Sequence, residues 1–281
     1  MSEGADFYVK FWGVRGSIAC PGEEYQRYGG NTSCLEVRNG EHLLIFDAGT
    51  GLRRLGAHLA ANGTPPEGLL GDLFLTHTHH DHIVGLPFFV PMFNPKNRIR
   101  IWAGHLGEEH HVKEVLRRFM EAPLFPVPPD VFAADVSYHD FRSGELLEPR
   151  PGVTLRTATL NHPNGSTGYR IDSNGKSICY ITDTEHREDG RDQNIVDLVE
   201  GADLMIYDCS YTDEEYPRFR GWGHSTWQEG VRLCDAASVK RLVIFHHDPS
   251  HDDAFMDRVA EEAERLRPGT IVACEGDLIR P

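Results

Sequence analysis

Short β-branched or alternating apolar runs recur along this chain and are interrupted by apolar stripes of helical spacing. The runs are YVKFW near residue 8, CLEVR at 34, HLLIF at 42, DLFLT at 72, RIRIW at 98 and VTLRTATL at 153, followed by GYRI at 168, SICYIT at 177, DLMIY at 203, RLVIF at 241 and TIVAC at 270. Their length and β-branched content predict strands. The helical stripes are Leu52, Leu55 and Leu59, ending at Asn62-Gly63; Val112, Val115, Leu116 and Phe119; and Phe255, Val259, Ala263 and Leu266. All three are expected to face a core. From Thr226 the chain reads T-W-Q-E, a capping box that starts a helix through Val231 and Cys234. Asn39-Gly40 and Asn174-Gly175 are hairpin turns, so the sheet beside them is antiparallel. The proline-rich stretch from Met120 to Asp130 reads as a surface loop beside the site. Strands interleaved with helices predict α/β layers, and with no repeat or Ser/Gly linker a single domain over 1–281 is expected.

Composition narrows the partners. With 40% hydrophobic residues the chain can bury a real core, and its 28 basic against 43 acidic residues leave a formal charge of −15. Such a charge repels a phosphate backbone unless a basic patch or bound cations reverse it locally. Cys20, Cys34, Cys179, Cys209, Cys234 and Cys274 form no C-x-x-C pair and read as reduced core thiols. MSEGADFYVK carries no signal-peptide pattern and no run reaches membrane-span length, so the expected location is the cytoplasm.

Chemistry collects at particular positions. After HLLIF comes Asp47; after DLFLT come His77, His79, Asp81 and His82; after VTLRTATL and Asn161 comes His162. Asp183 follows SICYIT, Asp208 follows DLMIY and His246 follows RLVIF. Each lies at the carboxyl end of a predicted strand, the edge where layered α/β folds gather ligands. A lone His or Asp there is ordinarily a surface or capping residue, but a cluster is a different matter. His77 and His79 alternate by two and share one face of an extended segment, while Asp81-His82 can address a neighbouring position. Imidazole and carboxylate suit zinc and related divalent ions, and the lack of nearby cysteines points to an open hydrolytic site rather than a closed structural one.

The segment H-x-H-x-D-H at 77–82, preceded by FDAGTG at 46–51 and followed by single His, Asp and His positions in order, resembles the metallo-β-lactamase fold superfamily over nearly the whole chain. The resemblance implies an αββα four-layer sandwich, two mixed sheets with helices on both outer faces. It also implies two divalent metal ions, zinc first and manganese as the alternative. One would take His77, His79 and His162, the other Asp81, His82 and His246, with Asp183 bridging them. Asp47 matches the superfamily's buried acid, which orients the metal loop without touching metal. His80 falls on the variable position. His79 stands where the superfamily's iron-dependent oxidoreductases typically carry Glu, which disfavours redox chemistry.

IYDCSY at 206–211 and GHST at 223–226 are similar to the acidic and HST motifs of ribonuclease Z and its phosphodiesterase relatives. The resemblance makes Asp208 and His224 a proton-donating pair, with Asp81 belonging to the catalytic set as well as the metal set. The chemistry agrees, because phosphodiester hydrolysis must neutralise phosphate charge, aim a hydroxide in line and protonate a poor alkoxide leaving group. On this reading a metal-bridging hydroxide attacks and His224 is the general acid.

The tRNA-gripping arm of ribonuclease Z is inserted between the third-motif His and the bridging Asp, and here His162 and Asp183 are separated only by a hairpin-like stretch. With the −15 charge this predicts a small-molecule phosphodiester substrate, no long nucleic acid and no membrane; the resemblance implies a homodimer. WGVRGSIACPG at 12–22, YGGNTSC at 28–34 and FHHDPSHDD at 245–253 resemble bacterial cyclic-nucleotide or phosphoribosyl cyclic phosphate phosphodiesterases. The expected activity is hydrolysis of a small cyclic phosphodiester, a 3′,5′-cyclic nucleotide first. Phosphoribosyl 1,2-cyclic phosphate, or a lactone or thioester cut by the same fold, are the alternatives. Arg15 and Asn31 either hold a phosphate or base or serve turn chemistry. His247, Asp248, His251 and Asp252 either lie outside the ligand set or make dimer contacts.

Overall fold

The apolar runs assemble into two seven-stranded sheets. The computed structural model describes residues 6–62, 65–187 and 190–281. The first sheet holds β1 (Phe7–Gly13), β2 (Cys34–Asn39), β3 (His42–Phe46), β4 (Leu70–Leu75), β5 (Arg98–Ala103) and β6 (Asp135–Asp140) in that spatial order. The second runs β7 (Leu146–Arg150), β8 (Val153–Leu160), β9 (Ser166–Ser173), β10 (Lys176–Ile181), β11 (Leu204–Asp208), β12 (Arg241–Phe245) and β13 (Ile271–Val272). The chain then returns β14 (Leu278–Ile279) to the edge of the first sheet beside β1. Both sheets are mixed, with hairpin-joined antiparallel strands on one side and parallel strands on the other.

Helices α1 (Gly51–Ala61), α2 (His80–Ile83), α3 (Val112–Phe119), α4 (Gln193–Val199), α5 (Trp227–Ala236) and α6 (Asp253–Leu266) complete the layers. Three apolar clusters follow from this stacking. One joins the facing sheets through Phe11, Phe46, Phe74, Tyr169, Tyr180 and Phe245. A second packs the α1 and α3 stripes on the first sheet, and a third packs α4, α5 and α6 on the other. This is the expected αββα order, with apolar surface on both faces of each sheet removed from water. The six thiols are free and five are buried, as their apolar surroundings predict. Among the described residues no helix is long and apolar enough to cross a membrane.

Some local expectations need correcting. Leu266 ends α6 at 58% exposure, because the stripe turns away from the sheet in the helix's last turn. Gly63, the expected stop after α1, lies outside the described residues. Asn174 and Gly175 take φ of 50° and 73°, the two-residue turn their identity predicts. Asn39 instead stays in the ladder opposite His42, and the turn begins at Gly40, φ 58°. Its side chain then accepts a hydrogen bond from Ser173 Oγ at 2.9 Å, so the two hairpins meet across the sheets. Strands β6 and β7 escaped the apolar pattern because both are edge strands, DVSYHD half-exposed and LLEPR carrying a proline. Thr226 caps α5 by accepting from Glu229 N at 3.1 Å, while the Glu229 carboxylate is taken by Arg232.

Candidate active site

Strand direction brings the chemistry to one edge. β3 and β4 are parallel, and so are β10, β11 and β12. β8 points the same way as β10 because two antiparallel pairings lie between them. The carboxyl ends therefore deliver Asp47, His77, His162, Asp183, Asp208 and His246 together. Asp47, Asp183 and His246 take φ of 61°, 56° and 63°, a left-handed conformation that non-glycine residues rarely adopt. Each costs on the order of 1–2 kcal/mol, so surrounding bonds must over-determine it.

Four overlapping donor groups form among the described residues, two of them running through His224. His77, His79 and His162 offer nitrogens within 4.8 Å of one another, and Asp81, His82, Asp183 and His246 do the same. The Asp183 carboxylate stands between them. Its Oδ1 is 3.7 Å from Nε2 of both His77 and His162, while its Oδ2 is 3.2 Å from His82 Nε2 and 3.3 Å from His246 Nε2. Asp81 Oδ2 lies 3.2 Å from His82 Nε2 and accepts from the backbone N of Ser17 at 2.8 Å.

Most of these imidazoles are held by the far nitrogen. His82 Nδ1 meets Asp47 Oδ2 at 2.9 Å, and His77 Nδ1 meets Thr76 Oγ1 at 3.1 Å. His162 Nδ1 donates to Gly223 O at 2.8 Å, and His246 Nδ1 meets Ser210 Oγ at 3.0 Å. Asp47 is itself fully buried and accepts from Thr76 N at 2.8 Å and from Tyr180 OH at 2.9 Å. These bonds leave Nε2 as the inward atom. Among the described residues, that nitrogen is buried without a hydrogen-bond partner in His77, His82 and His246. Leaving buried polar atoms unpaired is costly, so the arrangement points to a further occupant.

The charges agree. Burial holds His77 well below the usual imidazole range, and it lowers His79 and His162 too, so all three are neutral donors. His82 differs: burial opposes its charge, but the carboxylates of Asp183, Asp81 and Asp47 overcome this and raise it well above the ordinary value. Three buried carboxylates thus demand positive charge at this spot. Nitrogen and carboxylate oxygen are the ligand atoms of divalent transition metals, and the two sets around Asp183 fit a pair of such ions.

Beside them, His224 Nδ1 lies 2.9 Å from Asp208 Oδ2. Asp208 is fully buried and also accepts from Ser210 Oγ at 2.8 Å and Thr184 N at 3.2 Å. Burial disfavours a charged His224, yet Asp208 outweighs it and pushes the imidazole up to about 9. A cleft of about 400 Å³ opens over this edge, lined by His79, His80, Asp183, Trp222 and His224 among others.

All the expected donors converge, and His80 stands apart in the exposed lining. Sequence reasoning missed the supports Thr76, Ser210, Tyr180 and Glu185. Thr76, Ser210 and Glu185 carried a signal, standing one or two residues from expected site acids and histidines, and Tyr180 carried none. Arg15 does not face the cleft: its buried guanidinium donates to the carbonyls of Gly29 and His251 at 2.8 and 2.6 Å. Asn31 bonds Glu275, His247 donates to Ala273 O, His251 meets Glu215, and Asp252 caps α6. These residues build the loops behind the donor sets.

Comparison with known proteins places this geometry. Residues 42–247 match the family described as Beta-lactamase superfamily domain. Ribonuclease Z of Haloarcula marismortui is 22% identical, the alignment covering 97% of this chain and 96% of that protein. The metallo-beta-lactamase fold protein YhfI from Bacillus subtilis superposes with a TM-score of 0.72 at 18% identity, over 97% of this chain and 98% of that one. Human tRNase Z, short form, gives 0.68 at 20% identity with the same coverage. Relatives named for RNA cleavage overturn the expectation that long nucleic acid is excluded. Net charge sums the whole surface, whereas phosphate is met locally, at a site whose bound cations would reverse the sign. With donor sets, layer order and family match in agreement, the chain belongs to the beta-lactamase superfamily and is a metal-dependent hydrolase.

Proposed function

We propose that this hydrolase cuts a phosphodiester at a two-ion centre, with His77, His79 and His162 holding one ion, Asp81, His82 and His246 the other, and Asp183 shared. When bound, the ions would neutralise phosphate charge and bring a water's pKa towards neutrality. The single observation that carries the reading is the His224–Asp208 pair beside the donor sets. An alkoxide leaves phosphorus only with a proton, and the bond from Nδ1 to Asp208 leaves Nε2 of His224 as the atom that delivers it. A lactone or thioester needs that acid less, so the complete pair favours phosphorus over carbon. Asp47, Thr76, Ser210 and Gly223 O fix the imidazoles in place, so that little reorganisation is needed when substrate arrives.

For the substrate we favour a 3′,5′-cyclic nucleotide. Its support is the short β9–β10 hairpin, which leaves no inserted arm between His162 and Asp183. The ribonuclease names of the relatives support a second reading, an RNA phosphodiester. Zinc suits the His-rich donors, with manganese the alternative on the carboxylate-richer set. We read 1–281 as one domain and Asp47 as acting through His82.

The test is a panel of 3′,5′-cyclic nucleotides, phosphoribosyl 1,2-cyclic phosphate, a tRNA precursor, a lactone and a thioester. Each is assayed with zinc or manganese, with Asp183→Ala as the control. Phosphodiester turnover abolished by the substitution is expected. Turnover of the lactone or thioester alone would sink the reading, and full activity of the variant would disprove the assigned bridge.

A further inference from the structure

Trp222 breaks the pattern of the aromatic side chains around the centre. Tyr211, Tyr216 and Trp227 are buried, yet Trp222 is 62% exposed and lines the same cleft as His79, Asp183 and His224. An exposed indole is costly to leave in water, and its place beside a donor set makes the exposure informative.

The exposure does not come from a loose loop. Glu185 Oε1 accepts from Gly221 N at 2.7 Å and Tyr216 OH at 2.9 Å, and its Oε2 accepts from Gly223 N at 2.9 Å. Glu185 sits two residues beyond Asp183. Gly223 O receives His162 Nδ1 at 2.8 Å, and Gly221 and Gly223 take φ of 81° and 85°. The two glycines let the backbone double back between these anchors, which leaves Trp222 at the crest. Phe219 buttresses the indole edge-on at 5.5 Å and is itself stacked on Tyr211 at 4.3 Å. One carboxylate thus couples the bridging-acid segment to the loop that presents an aromatic face at the cleft.

We propose that Trp222 is the stacking platform for the nucleobase next to the scissile phosphate. The inference rests on the phosphodiesterase reading and names how its substrate is gripped. Ions at the donor sets would meet the phosphate alone, whereas every base has a π face that an indole can cover whatever its sequence. The two ions would take the phosphate, and Trp222 would take the base.

The experiment compares Trp222→Ala and Trp222→Phe with the metal-loaded wild-type protein on two phosphodiesters, one bearing a purine and one with bare ribose. Losing the platform is expected to raise KM for the purine substrate about 5- to 150-fold. The kcat should hold, the bare-ribose substrate should be unaffected, and Trp222→Phe should recover part of the loss. Tryptophan fluorescence is the activity-independent arm: a purine nucleoside monophosphate should quench wild type but not Trp222→Phe, and ribose 5-phosphate should quench neither. Equal KM changes for both substrates, or no change for either, would overturn the proposal, including the case where Trp222 instead contacts another protein. If wild type turns over no phosphodiester at all, the functional reading falls, and the quenching result still decides the stacking.

Discussion

The Tyr180 hydroxyl on the second sheet donates to the Asp47 carboxylate on the first at 2.9 Å, and Asp47 in turn holds His82. The two halves of the sandwich are thereby joined through one buried acid that touches no cleft. Tyr180→Phe keeps the ring and its packing on Phe46 and Phe245 while removing only the donor. The expected result is a folded protein, destabilised by about 1 kcal/mol, whose metal affinity falls on the order of 10- to 100-fold. Competition with a chelator and urea unfolding measure the two effects. Unchanged affinity would show that His82 needs no help from the second sheet.

His224→Ala separates leaving groups. With an alkoxide leaving group, kcat should drop about 10²- to 10⁴-fold. With p-nitrophenolate, which departs without a proton, most of that loss should vanish, so the ratio of the two rates isolates proton donation from folding damage. An equal loss on both substrates would assign His224 to positioning or metal retention instead of acid catalysis.

Much of this centre could be read from residues because a buried strand must be apolar until it emerges, and the first polar residues after it are therefore conspicuous. Asp47, His77, Asp183 and His246 stand out for that reason. Their supports do not. Tyr180 reads as one more β-former until β10 is known to face β3, and the left-handed φ at Asp47, Asp183 and His246 is hidden because glycine marks none of them. Glu185 looks like a surface charge, yet it organises Gly221 and Gly223 from 36 and 38 residues away. Edge strands β6 and β7 were invisible because half-exposed strands carry no apolar run. Net charge misled about partners because it holds no information on where the cations would sit.

Gly16, which as a sequence feature suggests only a turn, meets the centre directly. A Cβ built there would lie 2.4 Å from His246 Cε1 and 2.5 Å from its Nδ1, while the residue's own N donates to His247 O at 3.0 Å. Gly16→Ala must therefore push the ring away from Asp183 and Asp81 or displace the loop. Metal should be lost first from the Asp81, His82 and His246 set, with affinity down on the order of 10-fold or more and the circular dichroism spectrum unchanged. Retention of two tightly bound ions in the variant would show that this loop yields freely.

Acid stability should be set partly by His247, which is fully buried, donates Nε2–H to Ala273 O at 2.8 Å and packs edge-on against Tyr28. Burial first, then the neighbouring Arg15 guanidinium, pushes its pKa down to about 3. An imidazole depressed in the native state and ordinary in the unfolded chain binds its proton only on unfolding between about pH 6.5 and pH 3. Its contribution is whole above that window and is lost progressively as pH falls through it, reaching about 2 kcal/mol by pH 5. His247→Gln carries no titrating group, so whatever its stability at pH 7, its metal-free form should lose less between pH 7 and pH 5 than wild type does. Urea midpoints at the two pH values measure the difference. Parallel losses in the two proteins would mean that other groups govern the acid limb.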